Sequence, residues 1–214
     1  MNVGILGTGD VGKAIGRGFI ALGHAVTIGG RDPQNDKALA WARQMGGKAS
    51  VGTFADAASF GEVIVLATLG VANESAINLA GVQSFRGKVL IDTTNPLDFS
   101  GGMPPKLAIN GEDSGGERVQ RLLPDAHVVK AFNTVGNALM FKPELPGGPP
   151  DMFICGNHDD AKTSVGAILT DFGWGVVDCG GIESSRYLEA MCLVWVLAAA
   201  RTNTWNQAFK LLKK

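Results

Sequence analysis

Strand-like and helix-like segments alternate along this chain, which predicts an α/β fold built on a doubly wound, mostly parallel sheet. Two segments carry that expectation. The opening residues Met-Asn-Val-Gly-Ile-Leu form an apolar strand that runs straight into Gly7-Thr8-Gly9-Asp10-Val11-Gly12. Residues 13–22 continue as an amphipathic helix with Ala14, Ile15, Phe19 and Leu22 apolar, and Gly23-His24 turns into a second strand at residues 25–28. Strand, glycine turn, helix and strand within about thirty residues make a βαβ unit. The second segment is Glu62-Val-Ile-Val-Leu-Ala67, a nearly continuous apolar run of the kind buried on both faces of a parallel sheet.

The remaining elements follow in order. Residues 49–51 read as a short third strand and residues 53–59 as a short helix capped by Thr53. After the strand at 62–67, residues 71–80 read as a helix, 87–92 as a strand, 114–123 as a helix that Pro124 stops, and 126–130 as a strand. Two later strands, 151–155 and 175–178, flank a helix at 158–172. Residues 97–113 and the Pro- and Gly-rich 142–150 read as irregular loops. The segment from Glu183 to Arg201 is apolar nearly all round after Glu189, so it must be covered on more than one side, by the body of the protein or by a second subunit as well. Residues 202–214, with Trp205, Phe209 and Leu212, read as a short amphipathic tail folding back.

Gly7, Gly9 and Gly12 give the opening turn its chemical meaning. G-x-G-x-x-G between a strand and a helix lets backbone N–H groups approach a pyrophosphate at the helix N-terminus, where the helix dipole favours negative charge. This is the fingerprint of a Rossmann-type dinucleotide fold. Residues 1–180 are expected to form that body and residues 181–214 a C-terminal helical extension, together one compact unit. The end of the second strand bears on which dinucleotide is bound. NAD-preferring sites place an Asp or Glu about twenty residues past the glycines, on the ribose 2′-hydroxyl. Here the chain reads Gly29-Gly30-Arg31-Asp32-Pro33, so Gly30 leaves room and Arg31 offers a fork of donors matched to a phosphate. Lys37 could add a second positive charge. NADP(H) is therefore expected; a strand ending one residue later would instead make Asp32 the ribose ligand and Arg31 a solvated surface arginine.

Composition narrows the classes further. A formal net charge of −1 over 214 residues suggests neither a nucleic-acid nor an anionic-membrane partner. Cys155, Cys179 and Cys192 form no C-x-x-C pair and read as free thiols in a reducing cytoplasm. With the first strand starting at residue 2, no signal peptide is expected, and the longest apolar run, residues 190–200, is too short to span a bilayer.

Ligands of such sheets lie beyond the carboxyl ends of the strands. Those positions hold Ala67, Thr68 and Leu69, then Asn95 and Pro96, then Ala131, Phe132, Asn133 and Val135. Asn95 and Asn133 are candidates to hydrogen-bond a nicotinamide carboxamide or ribose, with Phe132 or Val135 against the ring; either asparagine could equally be a turn residue bonding its own backbone.

These stretches carry a resemblance. With Gly30-Arg31, Asp92-Thr-Thr-Asn-Pro96, Val129-Lys-Ala-Phe-Asn-Thr-Val135 and Ser185-Arg-Tyr-Leu-Glu189, the chain resembles the deazaflavin-dependent NADP oxidoreductase family over residues 1 to about 200. It is also similar to the cytosolic oxidoreductase domain of the STEAP metalloreductases. The resemblance implies the NADP phosphate on Thr8, Arg31 and Lys37, nicotinamide near Ala67 and Asn133, and a second ring system between residues 133–135 and the helix bearing Arg186. One departure stands out: the family often has serine before the arginine, and this chain has Gly30.

The implied chemistry, hydride transfer between nicotinamide and a deazaflavin or flavin, needs stacked rings and a dry pocket more than acid–base groups. His24, His127 and His158 fall in turn, strand-start and helix-start contexts, and Asp10 stands where a helix is capped. Two other functions stay open: reduction of a small carbonyl or imine with Asn133 or Arg186 orienting it, and non-catalytic NADP sensing. The acceptor is expected in a cleft walled by Val135, Met140 and the helix of Arg186; otherwise Arg186 pairs with Glu183 or Glu189 and the acceptor lies against residues 97–113. The C-terminal helix is the candidate surface for a homodimer.

Overall fold

The computed structural model describes residues 1–214. The parallel body comprises β1 (Asn2–Leu6), α1 (Asp10–Ala21), β2 (Ala25–Gly30), α2 (Asp36–Met45), β3 (Ala49–Thr53), α3 (Phe54–Phe60), β4 (Val63–Leu66), α4 (Asn73–Ala80) and β5 (Val89–Asp92). A small pair, β6 (Leu97–Asp98) and β7 (Lys106–Leu107), precedes α5 (Gly115–Leu122) and β8 (His127–Lys130). The chain ends with β9 (Asp151–Gly156), α6 (Asp159–Asp171), β10 (Gly175–Asp178) and α7 (Ser185–Thr202).

Eight strands form one sheet in the order β10-β9-β8-β5-β4-β1-β2-β3. From β8 to β3 every pairing is parallel, whereas β9 joins β8 antiparallel and carries β10 parallel to itself. The strand order reverses at β1, with β2 and β3 to one side and β4, β5 and β8 to the other. Leu6 pairs with Leu66, Leu66 with Asp92 and Asp92 with Lys130. The loops leaving these strands therefore open along one edge, on either side of the switch point where a ligand sits in such sheets.

Period-two alternation sorts the strand residues between two cores. Val65, Ile91 and Val129 face one core with α1, α2 and α6, while Ile64, Leu90 and Val128 face the other with α3, α4, α5 and Leu188 of α7. Both faces are covered, which is why the β4 sequence reads as an unbroken apolar run.

Three local readings change. The loop expected to be irregular over 97–113 contains the antiparallel pair β6–β7, too short to leave a periodic signature. Residues 70–72 form a 3-10 turn, and α4 proper begins only at Asn73. The tail after α7 folds back but forms no helix. Asn203, at φ +51°, ends α7 in a left-handed residue, and the following backbone finds partners outside itself. Trp195 Nε1 donates to Gln207 O, Asp151 N donates to Phe209 O, and Leu211 N donates to Asp151 Oδ2, each at 2.8–2.9 Å. Those bonds satisfy two carbonyls and one N–H of the tail that a helix would otherwise have paired internally.

Candidate nucleotide and acceptor site

The glycine turn is shaped by close approaches that no side chain would permit. Gly7 adopts φ +137°, and a Cβ there would stand 2.2 Å from Ala67 O. A Cβ on Gly12 would stand 2.4 Å from Gly7 O, so Gly12 is what lets α1 lie against the turn. At Gly9 a Cβ would meet nothing within 4 Å, because that position faces open space. Gly9 is also the N-cap of α1, and no side chain caps that helix. Asp10, expected to cap, is the first residue inside the helix, one position too late to do so. The first-turn amides of α1 are left for an external acceptor, which is the arrangement a pyrophosphate requires.

The turn forms one end of a cleft of about 600 Å³. Gly7, Thr8, Gly9, Asp10 and Val11 line it from the turn, Gly30 and Arg31 from the end of β2, and Ala67, Thr68 and Leu69 from the end of β4. Thr93, Thr94 and Asn95 line it after β5. Phe54 of α3 and Ser75 and Ala76 of α4 complete the lining unannounced by the sequence, whereas Leu97 and Phe99 of the small hairpin fall in the 97–113 segment kept as the alternative acceptor wall and Asn137 lies in the stretch after β8. Helix faces and loop tips reach the cleft only through tertiary folding, so no local pattern marks them. A second hollow of about 450 Å³ lies between α4 and α5 and shares Gly70 and Val71 with the cleft. The strand-end glycine turn does not open into it, and its Arg118 and Arg121 are tied to Asp113. Despite partial burial, which alone would raise it, those two guanidinium groups bring the Asp113 carboxyl down to about 2.

The cofactor-selecting end resolves the ambiguity at Arg31 and Asp32. Strand β2 ends at Gly30, so Arg31 is the residue on the cleft, exposed and without an ion-pair partner. Asp32 turns to the next segment, where its Oδ1 accepts from Gln34 N at 2.9 Å ahead of the Asn35 cap of α2. Lys37 is exposed in the first turn of α2 and outside the cleft lining. A Cβ on residue 30 would stand 3.1 Å from Thr8 Cγ2 and 3.6 Å from Thr8 Oγ1. A side chain at position 30 would thus crowd the Thr8 methyl, which glycine avoids.

Behind the cleft floor lies a continuous polar chain. Thr68 Oγ1 donates to Asn73 Oδ1, Asn73 Nδ2 to Thr94 Oγ1, and Thr94 Oγ1 to Asp92 Oδ1, each at 2.7 Å. Lys130 Nζ lies 2.9 Å from Asp92 Oδ2, off the hydrogen-bond axis of that oxygen, and 2.8 Å from both Glu189 Oε1 and Thr94 O. Glu189 accepts in turn from Gly115 N and Gly116 N, both at 3.0 Å, at the start of α5. Lys130 and its two carboxylate partners are fully buried. Burial alone would discharge Lys130, but the facing Asp92 and Glu189 carboxylates outweigh it and raise its pKa above the ordinary lysine value. This cluster was not recognised from sequence. The available signal was an ionisable residue ending an apolar strand and another inside an apolar helix, because buried charges must be paired.

The residues expected around the second ring are placed elsewhere. Asn133 is buried; its Nδ2 donates to Asn95 Oδ1 and Leu188 O, and Asn95 Nδ2 donates back to Asn133 O. Asn133 therefore holds Asn95, which does line the cleft, and is itself behind it. Phe132, in a left-handed conformation at φ +61°, turns inward and packs edge-on against Phe172. Ala131, Val135 and Met140 belong to the same core, and Pro96 is buried behind the lining. The strand-end loop curls into the protein at Phe132, so its apolar residues complete the core and do not wall a cleft. Arg186 pairs with neither Glu183 nor Glu189. Its guanidinium binds Glu117 of α5 through Nε at 2.8 Å and one terminal nitrogen at 2.7 Å, holding that carboxyl below its ordinary value.

Fold and cleft together define a Rossmann-type protein with an exposed, unpaired arginine, Arg31, on the cleft just past the end of β2. Comparison with known proteins narrows the class. The family described as "NADP oxidoreductase coenzyme F420-dependent" matches residues 2–96. The F420-dependent NADP reductase of Methanothermobacter marburgensis is 31% identical over 200 residues, covering 88% of this chain and 88% of that protein. The crystal structure of a putative F420-dependent NADP-reductase from Arthrobacter sp. FB24 superposes with a TM-score of 0.95 at 38% identity, over 100% of both chains. Rat metalloreductase STEAP3 is 31% identical over 89% of this chain, but the chain spans only 36% of that protein. The chain belongs to the F420-dependent NADP oxidoreductase family.

Two outcomes follow from the geometry. Gly9→Val is expected to melt like the parent yet lose NADPH binding in a fluorescence titration, because its side chain fills only the open cleft. Gly12→Val is expected to lower the melting temperature as well, since its side chain meets backbone. Glu189→Ala strips Lys130 of a carboxylate and the Gly115 and Gly116 amides of their acceptor, and should cost about 3–5 kcal/mol in urea unfolding. A change near zero would mean that water satisfies Lys130 in its place.

Proposed function

We propose that this protein is an NADP-dependent oxidoreductase that exchanges a hydride between the nicotinamide of NADP(H) and a deazaflavin of the F420 type. The observation that carries the reading is Arg31, standing unpaired on the cleft beside the free hydroxyl of Thr8 where an NAD site would place an acid. The uncapped start of α1 and the open space at Gly9 fit a pyrophosphate between that phosphate end and the strand-end residues Ala67, Thr68 and Asn95. Bound NADPH would supply the hydride; the chain's task is to fix the nicotinamide and keep water from the transfer.

The lining also weighs against carbonyl or imine reduction. Such a reaction needs a proton donor at the developing alkoxide or amine. Asp10 and Arg31 are the only ionisable residues on the cleft, both at its phosphate end, and none of the three histidines lines it. Ring-to-ring hydride exchange asks for no such group.

We further place the protein in the cytoplasm, supported by three unpaired cysteines, and no helix is long and apolar enough to cross a membrane. Self-association through α7 is part of the same reading. Leu188, Cys192, Trp195 and Val196 are buried on one side of that helix, while Tyr187, Val194 and Leu197 recur on the other and stay exposed.

NADPH should bind tighter than NADH by roughly 1–3 kcal/mol, and Arg31→Ala should remove most of that difference while leaving NADH affinity unchanged. Calorimetry with both nucleotides measures this, and NADPH-dependent bleaching of F420 absorbance tests the acceptor. Equal affinities in the parent protein would remove the NADP assignment. Val194→Glu should shift the mass measured by light scattering from dimer to monomer; a parent that is already monomeric would end the dimer proposal.

A further inference from the structure

We propose that Asp92, Thr94 and Asn73 are positioning residues for the cofactor: they fix the hydrogen-bond direction of the cleft floor so that Thr68 Oγ1 serves only as an acceptor, for a donor on the nicotinamide half of NADP(H). This rests on the NADP reading above and adds how the buried ion cluster reaches the nucleotide.

The direction is set from the buried end. Lys130 carries donors only, and the Asp92 carboxylate that faces it offers acceptors only. Asp92 Oδ1 accepts from Thr94 N at 2.9 Å and from Thr94 Oγ1 at 2.7 Å. A hydroxyl has one proton, and that of Thr94 is thereby committed to a carboxylate, the stronger kind of hydrogen bond. The Thr94 oxygen can then only accept from Asn73, which must present its Nδ2 there, at 2.7 Å. With the amide turned this way, Asn73 Oδ1 faces Thr68 and takes its hydroxyl proton, again at 2.7 Å. The reversed amide would set oxygen against oxygen with no proton between them. Asp92, Thr94 and Asn73 are all buried, so no solvent is at hand to relieve such a contact. Each group therefore has one setting, and Thr68, half-buried on the cleft, keeps only lone pairs for a ligand.

The sheet decides which part of the nucleotide those lone pairs meet. β2 and β4 flank β1, so Arg31 and Thr68 stand on opposite sides of the glycine turn. With the 2′-phosphate on Arg31 and the pyrophosphate on the turn, the nicotinamide half lies on the β4 side, one strand spacing of about 4.8 Å away. The donors of that half are the ribose hydroxyls and the carboxamide N–H. A phosphate oxygen, which only accepts, finds no partner at Thr68, so the floor also opposes a nucleotide slipped by one group along the row.

Calorimetric titration of the full chain with three nucleotides tests the relay: NADP⁺, 2′,5′-ADP, which lacks the nicotinamide half, and the 3-acetylpyridine analogue of NADP⁺, which lacks the carboxamide N–H. Thr68→Val should weaken NADP⁺ about tenfold and leave 2′,5′-ADP within about twofold, with Thr68→Ser close to the parent. Thr94→Val should weaken NADP⁺ about threefold in the parent and not at all in the Thr68→Val background, because it acts through Thr68. Thr94→Ser should restore the affinity, and Asn73→Ala, which breaks the relay at a second point, should show the same dependence on Thr68. A Thr68→Val loss confined to NADP⁺ assigns the donor to the carboxamide, and one shared by the analogue assigns it to the ribose; each supports the proposal. Unchanged NADP⁺ affinity in Thr68→Val, or additive losses in the double variants, would overturn it and leave the NADP reading standing. So would an equal loss of 2′,5′-ADP in Thr68→Val, which marks a general distortion of the cleft. A parent that binds neither NADP⁺ nor 2′,5′-ADP would overturn both.

Discussion

Lys130 is held at the centre of the sheet edge by Asp92 and Glu189, and the geometry of the cleft depends on that contact. Its two carboxylates come from a neighbouring strand and from the last helix, 38 residues before it in sequence at one end and 59 after it at the other. Through Thr94 the ammonium also fixes the turn after β5, and through Glu189 it fixes the start of α5. A buried ion cluster of this kind adds little net stability over well-packed apolar residues, because desolvation opposes attraction. What it provides is position. An apolar replacement could fill the volume, but it could not dictate that Thr94, Asn95, α5 and α7 meet in one arrangement. The Asn95–Asn133 pair extends the same logic by one layer, with a buried amide holding a half-buried one in place.

At the phosphate end, selectivity rests on backbone and space more than on side chains. Gly7 and Gly12 let strand, turn and helix approach to distances that exclude a Cβ, and the uncapped helix start supplies donors whose direction the fold has already set. Arg31 adds the one flexible, charged component. Since it is exposed and unpaired, it carries no stability burden, and its guanidinium stays available to an anion entering the cleft. Asp32, the residue that could have reversed this preference, is removed from the contest by its bond to Gln34 N.

The sequence disclosed those features that depend on local chain geometry. The glycine turn, the buried strand β4 and Thr53 as cap of α3 were legible because each is a short-range pattern with one physical solution. Where folding brings distant segments together, reading failed in a consistent direction. Asn133, Val135 and Met140 follow a strand end and so looked like cleft residues, but the left-handed turn at Phe132 sends them inward. Nothing in the order of residues announces φ at a phenylalanine. Arg186 reads from sequence as an acceptor wall or else as the partner of Glu183 or Glu189 at helical spacing, whereas its partner lies 69 residues away on α5.

The division of the cleft follows from these constraints. A parallel sheet presents its strand ends as one row, and that row lines the cleft from Arg31 at one end to Asn95 near the other, the span proposed above for the dinucleotide. Any second ring must then be met by groups outside the row. In this chain the insertion between β5 and α5 and the loop after β8 add the lining that lies outside that row. Both are anchored at their roots, the hairpin through Pro96 O and the loop through Phe132 N on Met152 Sδ, so neither needs the ligand in order to be ordered. A preformed slot avoids the entropy cost of assembling one at each encounter. That favours a reaction whose only demand on the protein is that two planes face each other at a fixed separation.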